Sequence, residues 1–202
     1  VRLDEIVYSR KDTEKLGIST GDIVAVDPKF EITESGYIKT RFLDDKASAF
    51  LLLELLRYLK ENNITPEDNL KIIFTTYEEV GFGASNIPDI NEMLAVDMGC
   101  IGLDLNCNEE QVSICAKDSG GPYDYDMVTN LINLAKQNNI DYAVDIYPFY
   151  SSDATASLRA GNDIKAALIG TGVAASHGME RTHKHGLENT FKLIKSYVHS
   201  GT

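Results

Sequence analysis

Apolar and polar positions follow two rhythms along this chain, and each change of rhythm marks an element. Over residues 47–60 apolar side chains fall on most turns of a 3.6-residue period, with Glu54, Arg57 and Lys60 grouped on one side, which predicts a helix. Residues 125–136 repeat that spacing through Met127, Leu131, Leu134 and Ala135, and residues 187–198 form a closing amphipathic helix. Asp153–Arg159 reads as a short helix stopped by Gly161. The other rhythm is short, β-branched and bounded by turn residues. Residues 70–76 (Leu-Lys-Ile-Ile-Phe-Thr-Thr), 93–96, 111–115, 142–147 and 164–169 are predicted as strands on that basis. Helix and strand alternating in this way predict an α/β fold, a sheet covered by helices on both faces.

The first forty residues are different. Short β-type runs at residues 5–8, 23–26 and 37–40 are separated by Gly17, Gly21, Asp27-Pro28 and Ser35-Gly36, giving a small β-rich piece. The chain is therefore divided into residues 1–40 and residues 41–202. Its opening residues, Val1-Arg2-Leu3-Asp4-Glu5, hold no apolar signal-type core, and the first residue is not Met, so a processed product or fragment is expected.

Charge narrows the function classes. With 19 Lys and Arg against 31 Asp and Glu, the 202-residue chain carries a formal charge of −12, which disfavours binding to a phosphate backbone. No apolar run reaches the length of a membrane span. Cys100, Cys107 and Cys115 are odd in number and contain no C-x-x-C pair, so they are expected to be reduced thiols of a cytoplasmic protein.

In α/β sheets ligands gather at the strand ends, and polar residues cluster there at four places. Asp44-Asp45 precedes the first long helix, Glu78-Glu79 follows the apolar run at 70–76, Asp97 follows residues 93–96, and three of the four histidines (His177, His183, His185) fall within nine positions. Taken singly, each acid has an ordinary use as a helix cap, solvated strand end or turn. Taken together, three carboxylate positions and one imidazole are donors that suit zinc, cobalt or manganese, and a bridging carboxylate can hold two such ions for water activation. Gly81-Phe82-Gly83 lacks the third glycine of a dinucleotide loop, and no G-x-S-x-G elbow is present. A two-carboxylate glycosidase gives no reason for the clustered histidines.

Leu43-Asp44-Asp45-Lys46, Tyr77-Glu78-Glu79-Val80-Gly81, Val96-Asp97-Met98-Gly99, Ser151-Ser152-Asp153-Ala154 and Glu180-Arg181-Thr182-His183 occur in this order. The combination resembles the glutamyl aminopeptidase and tetrahedral (TET) aminopeptidase family of co-catalytic metallopeptidases, over essentially the whole chain. The resemblance implies a three-layer α/β/α catalytic domain preceded by part of a β-rich, oligomer-forming insert. It implies two divalent metal ions, zinc or cobalt, a peptide substrate and homo-oligomers. It also implies roles: Asp44 as the carboxylate bridging the metals, Asp45 shaping that turn, Glu78 as general base, Glu79 and Asp97 as ligands, and His183 as the last ligand. His177 would hydrogen-bond the substrate, and Asp153 would approach its free amine. The sequence departs from the family pattern around Arg181-Thr182-His183, and it has no histidine before His177, where the family carries a further metal-binding histidine. A C-terminal portion of such an enzyme is expected. The alternatives are a metal-dependent deacylase and a folded fragment without catalysis.

Overall fold

The structure, a computed structural model, describes residues 1–200. In chain order it contains α1 (Arg10–Lys15), β1 (Glu31–Ile32), β2 (Tyr37–Thr40), α2 (Leu43–Glu61), a 3-10 turn (Glu78–Val80), β3 (Glu92–Cys100), β4 (Val112–Asp118), β5 (Gly121–Pro122), α3 (Tyr125–Gln137), β6 (Tyr142–Ile146), α4 (Asp153–Arg159), β7 (Lys165–Val173), β8 (Glu180–His183) and α5 (Lys184–His199). The later helices start where a side chain can take an orphan amide. Asp124 accepts from the Met127 N–H at α3, Ser152 from the Ala154 N–H at α4, and His183 from the His185 N–H at α5.

The main sheet is mixed. β3 runs parallel to β7, β7 antiparallel to β4, and β4 parallel to β6, while β5 folds back on the end of β4. A second, antiparallel sheet joins β1, β2 and β8. Helices α2, α5 and α3 lie against one another and against the main sheet. Leu55, Leu131 and Leu193 from these helices bury fully against Val112, Ile114 and Ile169 from the strands. Each such side chain contributes about 1.5–3 kcal/mol by leaving water. The sheet flanked by helices is the expected α/β class.

Three expectations are corrected. Residues 70–76 join no ladder, and the runs at 5–8 and 23–26 form no strand. Ile6 and Ile23 are almost fully exposed, so nothing packs on those runs to hold a strand. Asp97 does not end its strand: β3 continues to Cys100, and Asp97 sits inside the ladder opposite Gly170. The expected division at residue 40 falls at the end of β2, whose ladder with β8 ties it to the later part of the chain.

Candidate functional site

Asp44 and Asp45 open α2 with non-helical backbone, so their carboxyls stand at the mouth of the helix and not along its side. Asp45 Oδ1 accepts from the Ser48 N–H at 3.3 Å, and Ser48 Oγ donates to the Asp97 carbonyl at 2.8 Å, pinning this turn to β3. Glu78 and Glu79 stand on the 3-10 turn, which Gly81 closes at φ 81°, a left-handed conformation that favours glycine.

The structure brings His177 to these acids. His177 Nε2 lies 3.3 Å from Asp44 Oδ2 and 3.2 Å from Glu79 Oε2. Asp44 Oδ2 also accepts from Ser176 Oγ at 2.8 Å. Behind this contact is a residue that the motif reading left without a role. Glu180, 1% exposed, accepts the Asp44 N–H on Oε2 at 3.1 Å and the His177 N–H on Oε1 at 2.9 Å. One buried carboxylate thus holds two loops that lie far apart in sequence. Its only sequence signal is its position three residues after His177.

His183 stands elsewhere. β8 is extended, and at about 3.3 Å per residue it carries His183 roughly 10 Å beyond Glu180. There its ring is buried between Tyr37 and His185, Nε2 pairs with the Ser35 carbonyl at 2.8 Å, and Nδ1 accepts the His185 N–H at 3.2 Å. His183 groups with His185 and Glu110, whereas His177 groups with Asp44 and Glu79, the donor atoms of each group lying within 4.8 Å of one another.

Asp44, Glu78, Glu79, Asp97, Asp153 and His177 line one cleft of about 520 Å³, a size suited to a small ligand. Carboxylates crowd it. Burial, then Asp97, Glu79, Asp153 and Asp44, push the Glu78 carboxyl up to about 8. Burial and Asp44 push Asp97 up to about 7. Burial and the charge of Asp97 raise Asp45, and burial and Asp44 raise Glu79 against the opposing effect of His177. Asp153 takes a hydrogen bond from Thr75 Oγ1 at 2.6 Å on Oδ2, while its buried Oδ1 has no partner. A Cβ on Gly83 would come within 2.1 Å of that Oδ1, so the close approach of this loop to Asp153 requires glycine. Such a set of acids costs free energy when gathered without compensating positive charge.

The chain is 50% identical over 202 residues to a protein of Bacillus subtilis (strain 168) described as putative aminopeptidase YhfE, covering 99% of this chain and 58% of that one. The TET aminopeptidase of the marine sediment archaeon Thaumarchaeota archaeon SCGC AB-539-E09 superposes with a TM-score of 0.85 at 20% identity, over 95% of this chain and 57% of that one. The Pyrococcus horikoshii TET1 peptidase, described as assembling into a tetrahedron or a large octahedral shell, gives 0.72 at 25% identity, over 84% and 52%. This chain thus spans little more than half the length of these proteins. The model of one family matches residues 1–193, and the chain belongs to that family, M42 glutamyl aminopeptidase.

Proposed function

We propose that Asp44, Glu79 and His177, with Asp97 buried near Asp44, hold divalent metal, and that the cleft they line serves the removal of N-terminal residues from peptides. The observation that carries this reading is the convergence of Asp44 Oδ2 and Glu79 Oε2 on His177 Nε2, at 3.3 and 3.2 Å, among carboxyls raised by burial and mutual repulsion. The donors fit the ion: two carboxylates and an imidazole suit zinc or cobalt, and donor atoms within 4.8 Å of one another can close on one ion at about 2.0–2.2 Å each. In the full reading two such ions would be held, with Asp44, Glu79, Asp97 and His177 supplying donors. His177 takes the ligand role that the motif pattern had placed on His183, whose ring nitrogens are both engaged elsewhere.

Bound divalent metal supplies Lewis acidity at the scissile carbonyl and lowers the pKa of water. The protein's own residues do the rest. Glu78 takes the proton of the attacking water on its carboxylate and returns it to the leaving amine. Its elevated pKa falls toward neutrality as positive charge enters the cluster, into the range where a carboxyl can both accept and return a proton. Asp153, which lines the cleft, meets the substrate's free amine in the aminopeptidase reading. Residues 41–202 then form part of the catalytic domain and residues 1–40 part of an insert used in homo-oligomer assembly, where Ile6, Tyr8 and Ile23 offer exposed apolar surface. The three free cysteines accord with a cytoplasmic setting.

Elemental analysis after zinc or cobalt loading, together with hydrolysis of free-amine and N-acetylated aminoacyl anilides, tests the reading. Asp44→Ala and His177→Ala lose metal and His183→Ala keeps it. Glu78→Gln keeps metal but loses about 10²–10⁴-fold in turnover. Retention of metal by His177→Ala with loss in His183→Ala overturns the ligand assignment, and preference for the acetylated substrate overturns the reaction.

A further inference from the structure

Asp118 ends β4, is 1% exposed and lies outside the lining of the acidic cleft. A carboxylate is costly to bury unless donors meet it, and three do. Oδ1 accepts the Gly120 N–H at 2.7 Å. Oδ2 accepts the Tyr123 O–H at 2.6 Å and the Thr155 O–H as well. Because the Tyr123 proton is committed to Asp118, the 2.8 Å contact between Tyr123 and Ser152 is a bond that Ser152 donates. Ser152 Oγ in turn accepts the Ala154 N–H at 3.2 Å, as the cap of α4. Every proton in the row Ala154, Ser152, Tyr123 therefore points toward Asp118. Burial and the bond to Asp118 push the Tyr123 phenol up, which keeps it a donor. The row begins at the wall of the cleft, which Tyr150, Ser151, Ser152 and Asp153 line. The hairpin of β4 and β5 grips this stretch at a further point, where the Ser119 N–H donates to the Tyr150 carbonyl at 2.9 Å. A Cβ on Gly120 would come within 2.1 Å of Thr155 Cγ2, so hairpin and α4 are in close contact.

We infer that Asp118 is a positioning residue for substrate: through Tyr123, Ser152 and Thr155 it fixes the first turn of α4, so that Asp153 meets the free amine of the peptide's N-terminal residue. The inference rests on the proposed aminopeptidase reading and deepens it. Asp153 opens α4 directly after the capping serine, and from the other side Thr75 Oγ1 donates to its Oδ2 at 2.6 Å. A carboxylate that takes an ammonium group must stand within about 0.5 Å of its place, and that requires a locked backbone beneath it. The lock here ends on a buried carboxylate, and hydrogen bonds to an ionised group are roughly twice as strong as those between neutral partners. The first turn of α4 cannot rotate without stretching two of them, from Tyr123 and from Thr155. None of the hydrogen-bond partners of Asp118 is a proposed metal ligand, so its effect falls on the amine and not on the metal.

The test measures, by calorimetry on the zinc-loaded chain, the binding of leucine hydroxamate and of isocaproyl hydroxamate, which has the same chelating group and no amine. Asp118→Asn keeps the shape of the side chain and removes its charge. Tyr123→Phe removes one hydroxyl and keeps the ring in the core, and it serves where the first variant folds poorly. Wild type should bind the amine-bearing probe at least about tenfold more tightly than the other. Each folded variant should keep its zinc, lose about tenfold or more in affinity for leucine hydroxamate, and change by less than about twofold toward isocaproyl hydroxamate. Equal weakening of both probes, which a general loosening of the fold would give, overturns the inference. Loss of zinc or an unchanged affinity for leucine hydroxamate overturns it too. Failure of the underlying reading shows in wild type instead: without a preference for the amine-bearing probe, Asp153 meets no amine and the inference falls with it.

Discussion

Replacing Asp97 by asparagine isolates the electrostatic cost of the acidic cluster. Asp97 is 5% exposed, and burial followed by the charge of Asp44 moves its carboxyl from 3.8 up to about 7. Between those values the folded state binds a proton that the unfolded state has released. The slope of unfolding free energy with pH is therefore negative: stability is highest below the unfolded value and is lost as pH rises through the folded one. A carboxyl moved that far stores about 4 kcal/mol at most at pH 8, and relaxation of the surroundings brings the expected figure to about 2–4 kcal/mol. Glu78, pushed up to about 8, acts in the same direction but is partly solvated and adds less. Asparagine keeps the shape and the oxygen that accepts the Met98 N–H at 2.7 Å, and removes the charge. Urea unfolding in a chelator at pH 5 and pH 8 reads the effect. Wild type should lose stability from pH 5 to pH 8, and Asp97→Asn should exceed it by about 2–4 kcal/mol at pH 8 and by less than half of that at pH 5. With divalent metal at about 100 times its dissociation constant, wild type gains about 2.7 kcal/mol and the variant less. Stability of the metal-free wild type that rises from pH 5 to pH 8, or a variant less stable than wild type at pH 8, would refute the reasoning.

The other predictions concern packing and positioning. Glu180→Ala strands the Asp44 and His177 amides, so it should cost about 2–4 kcal/mol in urea unfolding and weaken metal binding about 10–100-fold in a competition titration. Gly170→Ala would set a Cβ 2.2 Å from the Asp97 carbonyl oxygen on the paired strand; β3 and β7 must part, at about 1–3 kcal/mol by thermal or chemical unfolding. Leu131→Ala empties a fully buried site beneath α3 and should lower stability by about 2–5 kcal/mol without altering metal content.

The helices were legible because helical hydrogen bonds are local. The 3.6-residue spacing of Met127, Leu131, Leu134 and Ala135 corresponds to α3, all four of these residues pack in the core, and Asp153–Arg159 is bounded as expected. Strands at 93–96, 111–115, 142–147 and 164–169 appear as β3, β4, β6 and β7 because each finds a neighbour. Residues 70–76 have equally strong β composition and form no ladder, since a strand depends on what lies beside it.

By itself the sequence determined the α/β class, the positions of Asp44, Glu78, Glu79 and Asp97, and the presence of one histidine-rich segment. Only the tertiary structure decided which histidine meets the acids. His177 and His183 are six residues apart and look alike on paper, yet a left-handed residue at φ 62° turns one toward Asp44 and Glu79. The extended β8 carries the other to Ser35 and Tyr37. The role of Glu180 was decided there as well, because its partners, the amides of Asp44 and His177, adjoin only after β2 and β8 have paired. Periodicity records which face of an element is apolar. The meeting of side chains more than a hundred residues apart depends on how the layers close, and no local pattern carries that information.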